Sequence, residues 1–240
     1  MSDTRIALVT GANKGIGFEI ARALGRDHGM TVLIGARDEV RGKEAAERLG
    51  AFAVPVPLDV TSPGSIGALA ERLLQRYGRL HVLVNNAGIL RERGERPSEM
   101  PVARLEETFA TNVFGVVAVT NALLPLLREA RDARIVNVSS GLGSLALCSD
   151  PNHVYGQNPL LAYNASKSAL NAVTVAYAAE LRGTGITVNA ADPGYCATDL
   201  NGHSGPRTPA QGAIAAVRLA TLPAGGPTGG FFDEDGPVPW

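Results

Sequence analysis

The sequence contains few of the residues that mark metalloproteins, disulfide-rich proteins or nucleic-acid-binding proteins. Its 240 residues include two cysteines, which form no CxxC motif, and four histidines that lack the spacing of metal ligands. We therefore predict no metal site and a reducing, cytoplasmic compartment. The formal net charge of −1 argues against a nucleic-acid partner bound through its phosphates. No apolar run approaches the length that spans a bilayer, and no signal peptide fits the N-terminus, so we expect no membrane association.

The sequence does contain short apolar runs that alternate with helix-like segments. Such runs are typical of buried parallel strands, and they cover residues 6–9, 31–37, 51–58, 80–84, 134–138 and 186–191. Pro55 and Pro57 indicate that the third run is irregular or near an edge of the sheet. The alternation predicts one α/β domain over residues 1–240, a Rossmann-type, doubly wound parallel sheet of about seven strands with helices on both faces.

A glycine-rich turn, TGANKGIG at residues 10–17, follows the first apolar run and precedes a helix-like segment. Its glycines permit a tight turn, and the helix N-terminus offers free N–H groups and the positive end of a dipole. Turns use glycine for conformation in any case, but here the flanking segments agree with a dinucleotide phosphate site. The candidate contacts are Gly11, Asn13, Lys14, Gly15, Ile16 and Gly17.

The end of the second strand bears on which dinucleotide is bound. An acid at this place bonds the ribose 2′-hydroxyl of NAD, whereas an arginine accommodates the 2′-phosphate of NADP. Arg37 and Arg41 lie here, and Lys14 in the glycine turn is a third cation, which favours NADP(H). Two alternatives stay open: the arginines belong to a solvated helix face, or Asp38 turns inward as the NAD-type acid.

Polar residues follow other predicted strands, at the edge where open α/β sheets bind ligands. Asp59 ends the third run and Asn86 follows the fourth, although both residue types also stabilise turns. Asn112 lies among apolar neighbours in a long helix predicted over 102–131, which Pro125 should kink or divide. If Asn112 is buried, it needs a hydrogen-bond partner.

Tyr163 and Lys167 share one face of a helix predicted over 161–182, because they lie four positions apart. A phenol has a pKa of about 10. An ammonium about 4 Å away is worth roughly 4 kcal/mol at an effective dielectric constant of about 20, which is about three pKa units. We therefore expect Lys167 to bring Tyr163 towards neutral pH, where general acid–base catalysis is most efficient. Taken alone, the pair is a weak signal.

Together these motifs resemble the short-chain dehydrogenase/reductases, and most closely their carbonyl reductase branch. The resemblance covers essentially the whole chain. Besides TGANKGIG and Asn112, the shared motifs are GAR at 35–37, LDV at 58–60, NNAG at 85–88, VNVSS at 136–140, YNASK at 163–167, PGYCATDL at 193–200 and the C-terminal GGFF…W.

The resemblance implies an NADPH-dependent reductase that transfers hydride to a ketone or aldehyde carbonyl, or in reverse oxidises a secondary alcohol. It implies that Tyr163 is the general acid, that Lys167 lowers its pKa and holds the nicotinamide ribose, and that Ser140 hydrogen-bonds the carbonyl. Asn112 would anchor a water that links Lys167 to solvent. The implied cofactor contacts are Asp59, Val60, Asn86, Ala87, Gly88, Tyr163, Lys167, Pro193, Gly194 and Thr198.

Ser140 and Tyr163 lie 23 positions apart, further than in most members of the family. The resemblance implies that carbonyl reductases carry a still longer insertion here, which tends to cover a helix face that other members use to form tetramers. The insertion in this chain is shorter, so monomer and homo-oligomer both stay open. We expect loops 90–100, 141–160 and 195–208 to surround a small-molecule carbonyl or alcohol substrate.

Three alternatives compete with a carbonyl reductase. The first is an NADH-preferring alcohol dehydrogenase of the same family. The second is a non-catalytic dinucleotide-binding regulator, against which the complete set of Asn112, Ser140, Tyr163 and Lys167 speaks. The third is a nucleotide-sugar lyase or epimerase, which usually needs a larger C-terminal substrate domain than the residues after Gly194 provide.

Overall fold

The computed structural model describes residues 4–92 and 94–240. Its centre is one seven-stranded sheet in the order β3-β2-β1-β4-β5-β6-β7, and all neighbouring strands pair in parallel. The strands are β1 Ile6–Thr10, β2 Thr31–Ala36, β3 Ala53–Pro57, β4 Val82–Asn85, β5 Arg134–Val138, β6 Thr187–Ala191 and β7 Phe231–Phe232. This sheet confirms the predicted fold class.

Helices cover both faces of the sheet. They are α1 Gly15–Arg26, α2 Glu39–Leu49, α3 Pro63–Tyr77, α4 Val102–Phe109, α5 Gly115–Arg128, α6 Leu145–Cys148, α7 Leu161–Glu180 and α8 Pro209–Ala220. Successive strand residues serve opposite layers: Leu8 packs into the cluster that holds Leu123 of α5, and Val9 into the cluster that holds Leu219 of α8. The strands are apolar throughout because both of their faces are buried.

The strand order reverses between β1 and β4, and this reversal positions the site. Chain connections leave β1 towards β2 on one side and β4 towards β5 on the other, which opens a crevice at the carboxyl ends of β1 and β4. The glycine turn follows β1, and the NNAG turn follows β4. β3 lies at the edge of the sheet, which confirms the placement that Pro55 and Pro57 predicted.

The helix predicted over 102–131 is interrupted at a different place from the one expected. α4 and α5 are joined through a π-helical segment, Ala110–Phe114, whereas α5 continues through Pro125. Of the two effects predicted for Pro125, a kink or a division, the division was therefore wrong. The π segment widens the helix at Asn112, and such segments are frequent at functional sites.

The same stretch corrects the expectation about apolar runs. Val102–Arg128 is long and apolar enough to cross a membrane by length and composition alone. Its residues Val119, Leu123 and Leu127 are buried in the core below the sheet. A core helix of a globular fold passes the same test, so the stretch is weak evidence for a membrane span.

Candidate active site

Three predicted residues meet at the carboxyl end of β5. Lys167 of α7 donates from Nζ to the carbonyl oxygen of Val138, the last residue of the strand, at 2.8 Å. The same Nζ lies 5.6 Å from the centre of the Tyr163 ring. Ser140 is close enough to the phenol of Tyr163 to lower its pKa through hydrogen bonding. Tyr163 is 7% exposed and Lys167 4% exposed, so both polar groups lie in a low-dielectric environment.

Burial determines the protonation of Tyr163. It raises the pKa of the phenol, and the nearby charge of Asp192 raises it further, while the hydrogen bond with Ser140 acts in the opposite direction. Burial also lowers the pKa of Lys167 to about 8, against an upward effect of Asp192. The expectation that Lys167 brings Tyr163 towards neutral pH was therefore wrong for this structure, in which the pKa of Tyr163 is raised. The ammonium donates to the backbone carbonyl of Val138, and burial, which disfavours the phenolate, is the largest cause of the raised pKa of Tyr163.

Ser140 is oriented by the turn that follows it. Its Oγ accepts a hydrogen bond from the backbone N–H of Leu142 at 3.2 Å. A hydroxyl has one donor and two acceptor positions, so this bond leaves the Ser140 proton able to point elsewhere. The geometry suits a group that both contacts Tyr163 and donates to an oxygen placed between them.

Asn112 is buried, and its side-chain amide bonds to protein groups on two sides. Nδ2 donates to the Ile89 carbonyl and to the Ser166 hydroxyl, both at 3.0 Å, and Oδ1 accepts from the Ile89 N–H at 2.9 Å. Ser166 in turn donates to the carbonyl oxygen of Tyr163 at 2.7 Å. Asn112 therefore links the segment after β4 to the first turn of α7. Its role in holding a water stays a prediction.

The glycine turn has the tight geometry that the motif predicts. Gly11 and Gly15 have positive φ angles of 64° and 59°. A Cβ at Gly17 would lie 2.4 Å from Nδ2 of Asn86 and 2.7 Å from the Gly11 carbonyl oxygen. Asn86, a predicted cofactor contact, donates from that Nδ2 to the Thr10 carbonyl at 2.9 Å. Its side chain thus holds the turn together, a role that the sequence motif did not distinguish from cofactor binding.

The residues present fit a dinucleotide. α1 begins without a side-chain cap from Lys14 and without an acid in its first turn, so its N–H groups suit a phosphate. A Cβ placed on Gly15 would lie 3.7 Å from the methyl group of Thr198, which brings the PGYCATDL segment next to the glycine turn. A Cβ on Gly88 would lie 3.7 Å from Nζ of Lys167. The glycine turn, the NNAG turn and Lys167 therefore line one continuous region.

The cations predicted to bind a 2′-phosphate near the end of β2 are only partly free to do so. Asp38 caps α2, since its Oδ1 accepts from the Arg41 N–H at 3.1 Å and its carboxylate pairs with the Arg41 guanidinium at 3.4 Å. It is thus engaged by its own helix and does not turn inward as an NAD-type acid. Arg37 is exposed at the end of the strand. Lys14, the third predicted cation, forms an ion pair with Asp199.

The remaining predicted contacts stabilise turns at the same edge. Asp59 accepts from the N–H and the hydroxyl of Thr61 at 2.9 and 2.7 Å, which lowers its pKa together with the charge of Arg37. The Val60 carbonyl lies 2.8 Å from the place that a Cβ of Gly115 would occupy. The backbone conformation after Pro193 requires glycine, because Gly194 has a φ of 68°.

Sequence reasoning missed Asp192, a buried carboxylate at the end of β6. It is 6% exposed and accepts hydrogen bonds from the backbone N–H groups of Gly194, at 2.9 Å, and Gly141. It therefore ties the PG turn to the loop that begins at Ser140. Desolvation raises its pKa despite these two bonds. The rule that singled out Asp59, an acid just past a strand, would have found it.

A buried polar chain behind the site was also missed. Asn85 donates to Oδ1 of Asn137 at 2.9 Å and to Thr120 at 3.2 Å, and Asn137 donates to Thr174 at 2.9 Å. These bonds join α5, β4, β5 and α7. A buried network whose members are all hydrogen-bonded favours one arrangement of the elements that it connects. Here it fixes β5, which leads into Ser140, relative to α7, which carries Tyr163.

Comparisons with known proteins agree with this geometry. The family model described as short chain dehydrogenase matches residues 5–208. Carbonyl reductase [NADPH] 1 of Rattus norvegicus is 37% identical over 279 aligned residues, which cover 100% of this chain and 99% of the relative. The short-chain dehydrogenase anuI of Penicillium roqueforti is also 37% identical, over 90% of this chain and 88% of its own length.

Two solved structures show the same similarity. NADPH-bound carbonyl reductase from chicken fatty liver superposes with a TM-score of 0.84 at 28% identity, over 99% of each chain. Salutaridine reductase from Papaver somniferum superposes with a TM-score of 0.81 at 31% identity, over 95% of this chain and 99% of its own. The resemblance read from the motifs, including its carbonyl reductase branch, is confirmed, and with it the expectation of an NAD(P)-dependent oxidoreductase that acts on C=O and CH–OH groups. The chain belongs to the short-chain dehydrogenase family.

Proposed function

We propose that this protein is an NADPH-dependent carbonyl reductase that protonates the reduced carbonyl through Tyr163 and, in reverse, oxidises a secondary alcohol. One observation carries the proposal: the side chains of Tyr163, Ser140 and Lys167 meet at the end of β5, next to a glycine turn that fits a dinucleotide. Hydride transfer to a carbonyl produces an alkoxide, which needs a hydrogen-bond donor and a proton.

The cofactor supplies the hydride when it is bound. The first-turn N–H groups of α1 would hold its pyrophosphate, and Lys167 would hydrogen-bond its nicotinamide ribose. NADP(H) is favoured over NAD(H), because Arg37 and Arg41 lie at the end of β2 while Asp38 is engaged in capping α2. The relatives that carry NADPH in their names support the same preference.

Ser140 and Tyr163 have different roles at the carbonyl oxygen of the substrate. Ser140 donates a hydrogen bond to the oxygen and stabilises the negative charge that develops on it. Tyr163 then gives up its hydroxyl proton to the alkoxide. The raised pKa keeps the phenol protonated at neutral pH in the free chain, which suits the reductive direction. Asn112 and Ser166 hold the backbone of Tyr163 from the other side.

The substrate is a small molecule with an apolar body, held by loops 90–100, 141–160 and 195–208 of one catalytic domain. Leu145, Tyr195 and Trp240 are large apolar side chains that are 68%, 52% and 39% exposed. The Ala146 N–H donates to the Trp240 carbonyl at 2.9 Å, which fixes Trp240 next to α6. Both cysteines are free, which supports a reducing, cytoplasmic compartment.

The test is a panel of ketones, aldehydes and diketones assayed with NADPH and NADH. We expect wild-type turnover with NADPH, and its loss in Tyr163→Phe with NADPH binding retained. Tyr77→Phe is the matched control, because it removes a buried hydroxyl that has no hydrogen-bond partner among the described residues and lies on α3. Near wild-type turnover in Tyr163→Phe would exclude the mechanism. NADPH binding without reduction of any carbonyl would favour the regulator.

A further inference from the structure

The first turn of α7, which carries Tyr163, is capped from a distant part of the chain. The residue before the helix, Leu160, offers no side-chain cap, and the first turn contains no acid. Glu92, in loop 90–100, supplies the missing acceptors: Oε1 accepts from the Ala162 N–H at 3.0 Å, and Oε2 from the Tyr163 N–H at 2.7 Å. One carboxylate thus satisfies two backbone donors.

These two N–H groups have no partner within the helix. The first backbone bond of α7 runs from the Asn164 N–H to the Leu160 carbonyl at 2.8 Å, so the donors before it must bond elsewhere. Bonds to a carboxylate at a helix N-terminus are charge-assisted and align with the helix dipole. Glu92 therefore orders the turn on which the phenol of Tyr163 stands.

Glu92 is itself held in place by its loop. Its neighbour Arg91 pairs through Nε with Glu107 of α4 at 2.8 Å, and Arg104 of α4 donates to the Arg91 carbonyl. The carboxylate of Glu92 is thus carried by backbone that is fastened to α4. The contacts form a bridge from α4 through loop 90–100 to the first turn of α7.

We propose that Glu92 is a positioning residue for Tyr163, and that it couples loop 90–100 to the proton donor. Tyr163 is held at both backbone polar groups: Glu92 accepts from its N–H, and Ser166 donates to its carbonyl. Loop 90–100 is one of the loops assigned to the substrate pocket, so a substrate that moves the loop also moves the anchor of Tyr163. This inference rests on the proposed function of Tyr163.

Kinetics of Glu92→Ala and Glu92→Gln test the proposal. We expect kcat for ketone reduction to fall by about 10- to 100-fold in Glu92→Ala, because small displacements of a reacting group have effects of this size. The dissociation constant for NADPH should stay unchanged, since among the described residues the one predicted cofactor contact that Glu92 hydrogen-bonds is Tyr163, through its backbone. Glu92→Gln retains one acceptor oxygen and should be intermediate. If Glu92→Ala does not fold, Glu92→Gln provides the test of the proposal.

Amide hydrogen exchange gives a second measurement that needs no activity. The N–H groups of Ala162 and Tyr163 should exchange faster in both Glu92 variants. Glu180→Ala is the matched control, since it removes an exposed carboxylate from the other end of the same helix; exchange at Ala162 and Tyr163 and kcat should both stay at wild-type values in it.

Unchanged exchange, or faster exchange with unchanged kcat in an active enzyme, would overturn the proposal. If wild type binds NADPH but reduces no carbonyl, the proposed function fails. The exchange data would then still decide whether Glu92 holds Tyr163.

Discussion

The ammonium of Lys167 donates to the carbonyl oxygen of Val138 at 2.8 Å, and this bond joins α7 to the strand that leads into Ser140. The lysine therefore has a structural task besides the one that its spacing from Tyr163 implies. In the chain by itself, burial and the charge of Asp192 set the protonation of Tyr163, and both favour the neutral phenol. The site is thus prepared to give a proton.

The neutral phenol of Tyr163 predicts different pH dependences for carbonyl reduction and for alcohol oxidation. Reduction needs the phenol, so its kcat/KM should stay level between about pH 6 and about pH 7 and decrease at higher pH, where Lys167 loses its charge first. Alcohol oxidation needs the phenolate and should accelerate throughout that range. Initial rates in both directions in one set of buffers provide the measurement. A reduction rate that already decreases between about pH 6 and about pH 7, below the pKa of about 8 of Lys167, would show that the Tyr163 pKa is not raised in the working enzyme.

Asp192→Asn should shift both profiles to lower pH: the decrease of the reduction rate and the increase of the oxidation rate should each begin at a lower pH. The charge of Asp192 raises the pKa of Tyr163 and that of Lys167, so its removal makes both groups easier to deprotonate. Asparagine keeps an oxygen for the Gly194 N–H. Asp132→Asn is the control. It removes the same charge near Arg5 and Arg134, and that charge is not among the causes that shift the pKa of Tyr163 or of Lys167. Identical profiles for wild type and Asp192→Asn would show that the carboxylate does not act on the proton donor.

Lys167→Met should change how stability depends on pH. Burial lowers the pKa of Lys167 from 10.5 to about 8, so between these values the unfolded chain binds more protons than the folded one. Wild-type stability should therefore increase with pH, relative to the variant, by up to about 1.4 kcal/mol per pH unit in that window, with a constant difference below it. Urea unfolding of both proteins at several pH values measures the difference. Parallel stability curves would mean that Lys167 titrates as it does in water.

Sequence reasoning found the features that depend on local pattern. Apolar runs predicted the strands, and the rule that ligands bind past the carboxyl ends of parallel strands singled out Asp59 and Asn86. Ser140 was predicted only through the resemblance to the family. What it missed depends on distant contacts. Glu92 caps a helix 70 residues further along the chain, and no property of either segment indicates the other.

Two wrong expectations have the same physical origin. Pro125 predicted a kink or a division because proline lacks an N–H donor, yet α5 is not divided at Pro125, and the irregularity occurs at Asn112, whose amide bonds to Ile89 and Ser166. The effect of Lys167 on Tyr163 was inferred from charge and spacing alone. The loss of solvation can be judged only when burial is known, and here burial is the largest cause of the raised pKa of Tyr163.

Gly17→Ala should abolish dinucleotide binding. The added methyl group would lie 2.4 Å from Nδ2 of Asn86, whose bond to the Thr10 carbonyl holds the glycine turn, so the turn must shift. Gly67→Ala is the control, since it lies in α3 with nothing within 4 Å of the new Cβ and should be neutral or stabilising. Fluorescence titration with NADPH and thermal unfolding separate loss of binding from loss of fold. Wild-type affinity in Gly17→Ala would contradict the role of this turn.

Arg37→Ala should raise the KM for NADPH far more than the KM for NADH. Arg37 is exposed at the end of β2, where a 2′-phosphate would lie, and NADH offers no phosphate for its guanidinium to bind. Asp38→Ala separates this effect from stability, because loss of the α2 cap should lower the free energy of unfolding by about 1 kcal/mol.

Arg26→Ala is the matched charge control, since Arg26 is an exposed arginine at the end of α1 that pairs with Asp27. The ratio of kcat/KM with NADPH to kcat/KM with NADH, measured for all four proteins on one ketone, gives the result. We expect the ratio to fall in Arg37→Ala only. A fall of equal size for both cofactors would mean that Arg37 contributes to the fold of the site and does not read the 2′-phosphate, and Arg41 alone would then carry the preference at this strand end.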